Sequence, residues 1–228
     1  GAAALACLDL LLRFGLSKPQ ICVTDIEGIV HPDRFCGMDA FRARYARYSS
    51  ARTLREALVG ADVLLGLSAG RVVSPGMVAA MAPRPIVFAL ANPEPEIRPS
   101  EVYSVRSDAV VATGRSDFPN QVNNVLCFPY IFRGALDVGA TCINTAMELA
   151  ATRALACLAR APQLSKRQEG DANAFPALLP SPFDERLLPA IAAAVAGAAM
   201  ESGVATRPIR DLNAYRLELM TGNRVHRI

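Results

Sequence analysis

The sequence predicts an α/β protein: helices on both faces of a doubly wound parallel sheet, followed by a C-terminal helical extension. Three observations predict it. Short, nearly all-apolar runs at residues 63–67 (VLLGL), 85–90 (PIVFAL) and 109–112 (AVVA) alternate with segments that carry helix-start residues, as strands covered on both faces by crossover helices do. The runs end in small or polar residues, Ser68-Ala69-Gly70, Asn92 and Thr113-Gly114, at the edge where open α/β sheets bind ligands. From residue 143 onward the pattern turns into long, Ala-rich helices.

Composition narrows the class. A chain of 228 residues with 52% hydrophobic content can bury a sizeable core, enough for one domain with an extension; the boundary is drawn as a domain over residues 1–160 and a loop and helical extension over 161–228. The net charge is only +3. Although Arg42, Arg44, Arg47 and Arg52 cluster, no basic block interleaved with aromatics argues for nucleic acid. No apolar run reaches a membrane span, the Ala-rich stretch 190–200 being too short, and residues 1–12 lack the basic start of a secretion signal. The six cysteines, Cys7, Cys22, Cys36, Cys127, Cys142 and Cys157, stand singly with no CxxC. They read as buried thiols of a cytoplasmic protein rather than as disulfides or metal ligands.

Taken in order, Gly1-Ala2-Ala3-Ala4 leads into LACLDLLLRFGL, a helix with Leu5, Leu8, Leu11 and Leu12 on one face and Gly15 as its stop. ICVTD, residues 21–25, follows as a strand. Its last residue, Asp25, lies about 20 residues beyond the glycine turn, as the acidic residue of a dinucleotide-binding βαβ unit does. Gly1 then matches the second glycine of G-x-G-x-x-G/A and Ala4 its final small residue. The reading is therefore a Rossmann-like sheet lacking its first strand, in a chain that is a fragment. Glycine at the helix start lets backbone N–H groups approach a pyrophosphate, whose charge the helix dipole favours. A small-residue start also serves close helix–strand packing alone, and this half-motif leaves both readings open. The polar ends of the later strands favour the nucleotide.

Glu27-Gly28 makes a turn, and residues 29–47 form an excursion carrying Phe41, Arg42 and Arg44. Thr53 caps a helix ending near Gly60, and Pro75 opens the next at its first position. Asn92, before Pro93, is either a turn cap or a ligand contact. Residues 113–141, TGRSDFPNQVNNVLCFPYIFRGALDVGAT, pack amides, glycines and aromatics where a core would place aliphatics, and read as a lined pocket wall. Pro119-Asn120 signals a helix start, which puts Asn123 and Asn124 in that helix's first turns, needing solvent or ligand as partners. Residues 143–160 form a helix packed through Met147, Leu149, Ala150, Leu155 and Leu158. Residues 163–182 read as a surface loop and 186–201 as a helix ended by Gly203. The tail, amphipathic at residues 215–219, suits docking on a neighbouring domain or subunit.

VTDIEG, ADVLLGLSAG, ALANPEPEI and the 113–141 segment together resemble the nucleotide-binding domain of bacterial malic enzymes, from Gly1 to about Arg210. The resemblance implies oxidation of L-malate by NAD or NADP and decarboxylation to pyruvate, with Mg2+ or Mn2+ beside the substrate. Residue by residue, it sets Gly1, Ala2 and Ala3 under the pyrophosphate, Asp25 at the adenosine ribose, Asn92 near nicotinamide and malate, Asn124 on malate and Asn123 beside it in the cofactor motif. Ser68 and Ala69 join the cofactor set from their strand end. The family's catalytic tyrosine and lysine and its metal ligands come from segments before the glycine fingerprint, so no catalytic or metal residue maps here, and Tyr45, Tyr48, Tyr103 and Tyr130 do not substitute. His31 and His226 read as surface residues and Glu94 and Glu96 as a solvated loop.

Asp25 favours a free ribose hydroxyl and hence NAD, whereas Arg42, or Arg34 or Arg44, favours the 2′-phosphate of NADP. The position of Arg42 tips the expectation towards NADP. The implied partners are an N-terminal catalytic domain and further copies in a homo-oligomer. Two rivals, a non-catalytic dinucleotide-sensing module and an amino-acid-dehydrogenase-like oxidoreductase, leave the NQVNNVLCFP run without a purpose.

Overall fold

The computed structural model describes residues 1–34, 37–161 and 178–222. Cys36, His226 and much of the expected 163–182 loop lie outside the described residues. The chain divides into two compact units, Gly1–Val122 and Asn123–Ile228.

The first unit opens on α1 (Ala2–Arg13), with Gly1 at its N-cap and Gly15, at φ +101°, just beyond its end. Of its expected packing face, Leu11 is exposed. β1 (Thr24–Asp25) and β2 (Gly28–Ile29) follow as a two-residue antiparallel hairpin. The Asp25 carboxylate accepts the Glu27 N–H at 2.9 Å inside its turn. Gly28 is required there: φ is +96°, and a Cβ would collide with the Arg52 carbonyl. The expected strand over residues 21–25 is thus shorter and does not belong to the parallel sheet of the described residues. A strand exists only with a ladder partner, and the partner found is the chain's own return at Ile29.

α2 (Ala40–Ala43) and α3 (Leu54–Leu58) come next. Thr53 caps α3 as its sequence predicts, accepting the Glu56 N–H while the Glu56 carboxylate accepts the Thr53 N–H. β3 (Val63–Gly66), β4 (Ile86–Ala89) and β5 (Val110–Thr113) form a parallel sheet in the order β3-β4-β5. The final residue pairs are Gly66 with Ala89 and Ala89 with Thr113. α4 (Pro75–Ala79), with Pro75 first, and α5 (Pro99–Tyr103) are the crossovers. Val78, Val87, Ile97, Val102 and Val111 pack a core around the sheet. At the outer strand β3, Val63 remains exposed rather than buried.

The second unit is helical: α6 (Phe128–Asp137), α7 (Thr145–Arg160), α8 (Leu187–Glu201) and α9 (Leu212–Thr221). α8 is its axis, with Leu187, Ile191, Ala192, Val195, Ala196 and Ala199 fully buried. α6 approaches it at Gly134, where a Cβ would stand 2.4 Å from the Ala192 carbonyl oxygen. The amphipathic tail packs in part inside this unit: α9 buries Tyr215 and Leu219 in the same core, and the Tyr215 hydroxyl donates to Asp137 at 2.6 Å, while Leu217 and Met220 stay exposed. Two other expectations change. Asn123 and Asn124 precede α6, because Asn120 turns the chain at φ +57° and the Asn123 side chain caps a short 3-10 turn, Asn124–Leu126, by accepting the Val125 N–H. Cys22, Cys142 and Cys157 are exposed rather than buried; an apolar neighbourhood in sequence does not fix which face a single small residue takes. Among the described residues no helix is long and apolar enough to cross a membrane.

Candidate nucleotide and substrate site

Gly1, Ala2 and Ala3 form the start of α1. Gly1 is the N-cap of this 12-residue helix, with no side chain capping its first turn, and the leading N–H groups of a helix are donors suited to a phosphate. Asp25 ends its short strand in a cationic grip. Arg34 donates to both carboxylate oxygens, at 2.8 and 2.6 Å, and Arg42 Nε stands 3.9 Å from one of them. The Arg34 hydrogen bonds, aided by the Glu27 N–H and the two arginine charges, hold the Asp25 carboxyl below its ordinary range. A lowered value means the pair stabilises the fold above the ordinary carboxylate pKa and is lost only as pH falls through the folded value, so it is intact at neutral pH. Arg42 also donates to the Gly37 carbonyl at 2.7 Å. Arg44, by contrast, pairs with Asp9 at 3.2 Å and stacks near Phe41 and Tyr45, so two of the three candidate arginines converge on Asp25.

Arg34 also lines a cavity of about 270 Å³ with Glu27, Ile29, His31, Asp33 and Arg52. His31 is buried, not on the surface: its ring meets Tyr48 edge-on at 5.4 Å and its Nδ1 accepts the Asp33 N–H at 3.2 Å. Isolation in sequence gave no sign of this packing.

At the carboxyl edge of the parallel sheet, Ser68, Ala69 and Asn92 are exposed beyond the ends of β3 and β4. Asn92 lies against Gly114 after β5, where a Cβ would come within 3.0 Å of the amide nitrogen. The Asn92 side chain has no hydrogen-bond partner among the described residues, and neither has that of exposed Asn124 in the second unit. Glu96 overturns the solvated-loop expectation: it is 1% exposed, and its carboxylate accepts the Ser68 N–H at 2.9 Å and the Ala91 N–H at 3.0 Å. Glu94 does remain at the surface, paired with Arg98 at 3.1 Å. Among the described residues no three His, Cys, Asp or Glu side chains group as metal ligands. The Asp25–Arg34–Arg42 group brings two guanidinium groups to one carboxylate.

A three-stranded parallel sheet with crossover helices and polar strand ends at one edge defines a Rossmann-like, nucleotide-binding class of domain. Residues 15–179 match the family model of the malic enzyme NAD binding domain. The chain belongs to the malic enzyme family. It is 54% identical over 220 residues to the NAD-dependent malic enzyme of Rhizobium meliloti (strain 1021), covering 94% of this chain and 29% of that protein. It is 51% identical over 224 residues to the NADP-dependent malic enzyme of the same strain, covering 96% and 29%. Among solved structures, the Entamoeba histolytica malic enzyme superposes with a TM-score of 0.80 at 33% identity, over 96% of this chain and 45% of that one. The chain thus spans less than a third of the length of these two Rhizobium enzymes.

Proposed function

We propose that this chain is the NADP-binding and substrate-orienting part of a malic enzyme that oxidatively decarboxylates L-malate to pyruvate and CO2. The observation that carries the reading is the polar edge of the sheet, where Asn92 stands exposed against Gly114 with its amide unpartnered among the described residues. An amide can donate to a carboxylate and accept from a hydroxyl without adding charge, which suits a dianionic substrate held next to a metal. In this reading Asn124 performs the same task on malate and Asn123 shapes its turn, Gly1, Ala2 and Ala3 meet the pyrophosphate, and Ser68 and Ala69 flank the cofactor. The nicotinamide cofactor accepts the hydride when bound; the protein's residues orient and hold. The proton-transferring groups and the Mg2+ or Mn2+ ligands are assigned to the rest of the full-length enzyme, which works in the cytoplasm as a homo-oligomer.

The relatives include both NAD- and NADP-dependent enzymes at similar identity, so the coenzyme assignment rests on the ribose end. Arg34 already occupies both Asp25 oxygens, which offsets the charge that would repel a 2′-phosphate, and the more open Arg42 side chain offers that phosphate a charge-assisted hydrogen bond. In the full-length enzyme with L-malate and Mn2+, kcat/KM is expected to be higher with NADP+ than with NAD+. Arg42→Ala should lower the NADP+ value by about tenfold, the worth of one charge-assisted hydrogen bond, and leave the NAD+ value within about twofold. A wild-type preference for NAD+, or equal losses with both coenzymes, contradicts the assignment.

A further inference from the structure

β3 and β4 stop pairing at Gly66 and Ala89, and Leu90 N–H donating to the Gly66 carbonyl at 3.0 Å is the last backbone bond between the two strands. Two residues further on each side, the chain is joined again by a side chain. Glu96 Oε1 accepts the Ser68 N–H at 2.9 Å and the Ser68 hydroxyl at 3.3 Å, and Oε2 accepts the Ala91 N–H at 3.0 Å. The carboxylate is 1% exposed and no ion pair joins it to a cation among the described residues. Its own segment is pinned to the loop after β3, since the Glu96 carbonyl accepts the Val73 N–H and the Pro95 carbonyl the Arg71 N–H, each at 3.0 Å.

A carboxylate removed from water without a counter-cation is costly unless dipoles replace its solvation. A site that keeps one must need what an apolar side chain cannot give. Here each oxygen takes one backbone N–H from a different strand end, so the group fixes the separation of the two ends where the ladder can no longer do so. Gly66 makes the room: a Cβ there would be 2.5 Å from the Glu96 carboxyl carbon. The residues so fixed are Ser68 itself, which precedes Ala69, and Ala91, which precedes Asn92.

We propose that Glu96 is a positioning residue for the crevice, its buried carboxylate setting where Ser68-Ala69 and Asn92 meet the dinucleotide and substrate. The proposal rests on the crevice assignment made above. Glu96→Gln in the full-length enzyme is the direct test, because the amide has the same shape but turns an NH2 donor against a backbone N–H. The expected result is an NADP+ dissociation constant raised about tenfold by calorimetry and kcat with malate lowered by a similar factor, in protein whose circular dichroism is unchanged. Wild-type affinity and kcat per folded molecule, with only a lower melting temperature, would show a purely structural role and overturn the proposal.

Should the variant fail to fold, amide exchange in the wild type decides. The Ser68 and Ala91 amides are expected to exchange as slowly as those of β4, although both lie outside strands; exchange at exposed-loop rates overturns the proposal. A wild-type enzyme that binds neither NADP+ nor NAD+ removes the crevice assignment and this proposal with it, whereas normal binding by the Glu96→Gln protein removes the positioning role alone.

Discussion

Asn92→Ala in the full-length enzyme is expected to lower kcat for malate oxidation by about 10²-fold, the loss that follows when a reacting group is left misplaced by roughly an ångström or loses one preorganised donor. The side chain is exposed, makes no hydrogen bond to the described residues and lies beside Gly114. Its removal should therefore cost little stability, and the lost rate can be read as lost orientation. Gly114→Ala reaches the same amide from the other side, since the new Cβ would press to within 3.0 Å of it, and should reproduce part of the loss. Steady-state kinetics checked against circular dichroism make the measurement. Turnover by Asn92→Ala within twofold of wild type would remove Asn92 from the substrate-orienting set.

Ile191→Ala is expected to destabilise the helical unit by about 2–5 kcal/mol, the usual cost of truncating a buried branched aliphatic side chain whose cavity cannot fully collapse. Ile191 is fully buried on α8, among Leu126, Val138, Met147 and Leu187. Collapse is hindered because α6 already packs against α8 with no side chain at Gly134. Gly134→Ala should cost about 1–3 kcal/mol by the opposite route, overpacking, because its Cβ would sit 2.4 Å from the Ala192 carbonyl oxygen. Amide exchange along α8 under increasing urea measures both changes. Opening free energies unaltered by Ile191→Ala would mean that α8 is not the axis of this core.

Much of the architecture was legible because it depends on local chemistry. The apolar runs at residues 63–67, 85–90 and 109–112 read as strands from their length and β-branched content, although Val63 on the outer strand stays exposed, and Thr53 and Pro75 mark helix starts by satisfying or lacking an N–H. What could not be read depends on partners distant in sequence. Residues 21–25 have strand composition, but a strand is defined by its neighbour, and here the chain's own hairpin supplies it. Glu96, flanked by prolines, has the local look of a solvated acid; only the distant Ser68 and nearby Ala91 amides make its burial possible. Asn123 and Asn124 stand out in the sequence as unusual amides, but helix-start signals place them one turn too far into a helix, because the positive φ at Asn120 delays α6. At the proposed ribose end the sequence puts Arg42 first, with Arg34 or Arg44 as alternatives. Their side chains separate them, Arg34 and Arg42 turning to Asp25 and Arg44 to Asp9.

The proposed function is tested most directly by supplying the full-length enzyme with L-malate, Mn2+ and NADP+, then following reduced coenzyme and pyruvate in the same reaction. Equal amounts of the two products are expected, with less of both when NAD+ replaces NADP+. Reduced coenzyme without pyruvate would contradict the account in favour of a simple dehydrogenase, and neither product despite dinucleotide binding would contradict it in favour of a sensing module.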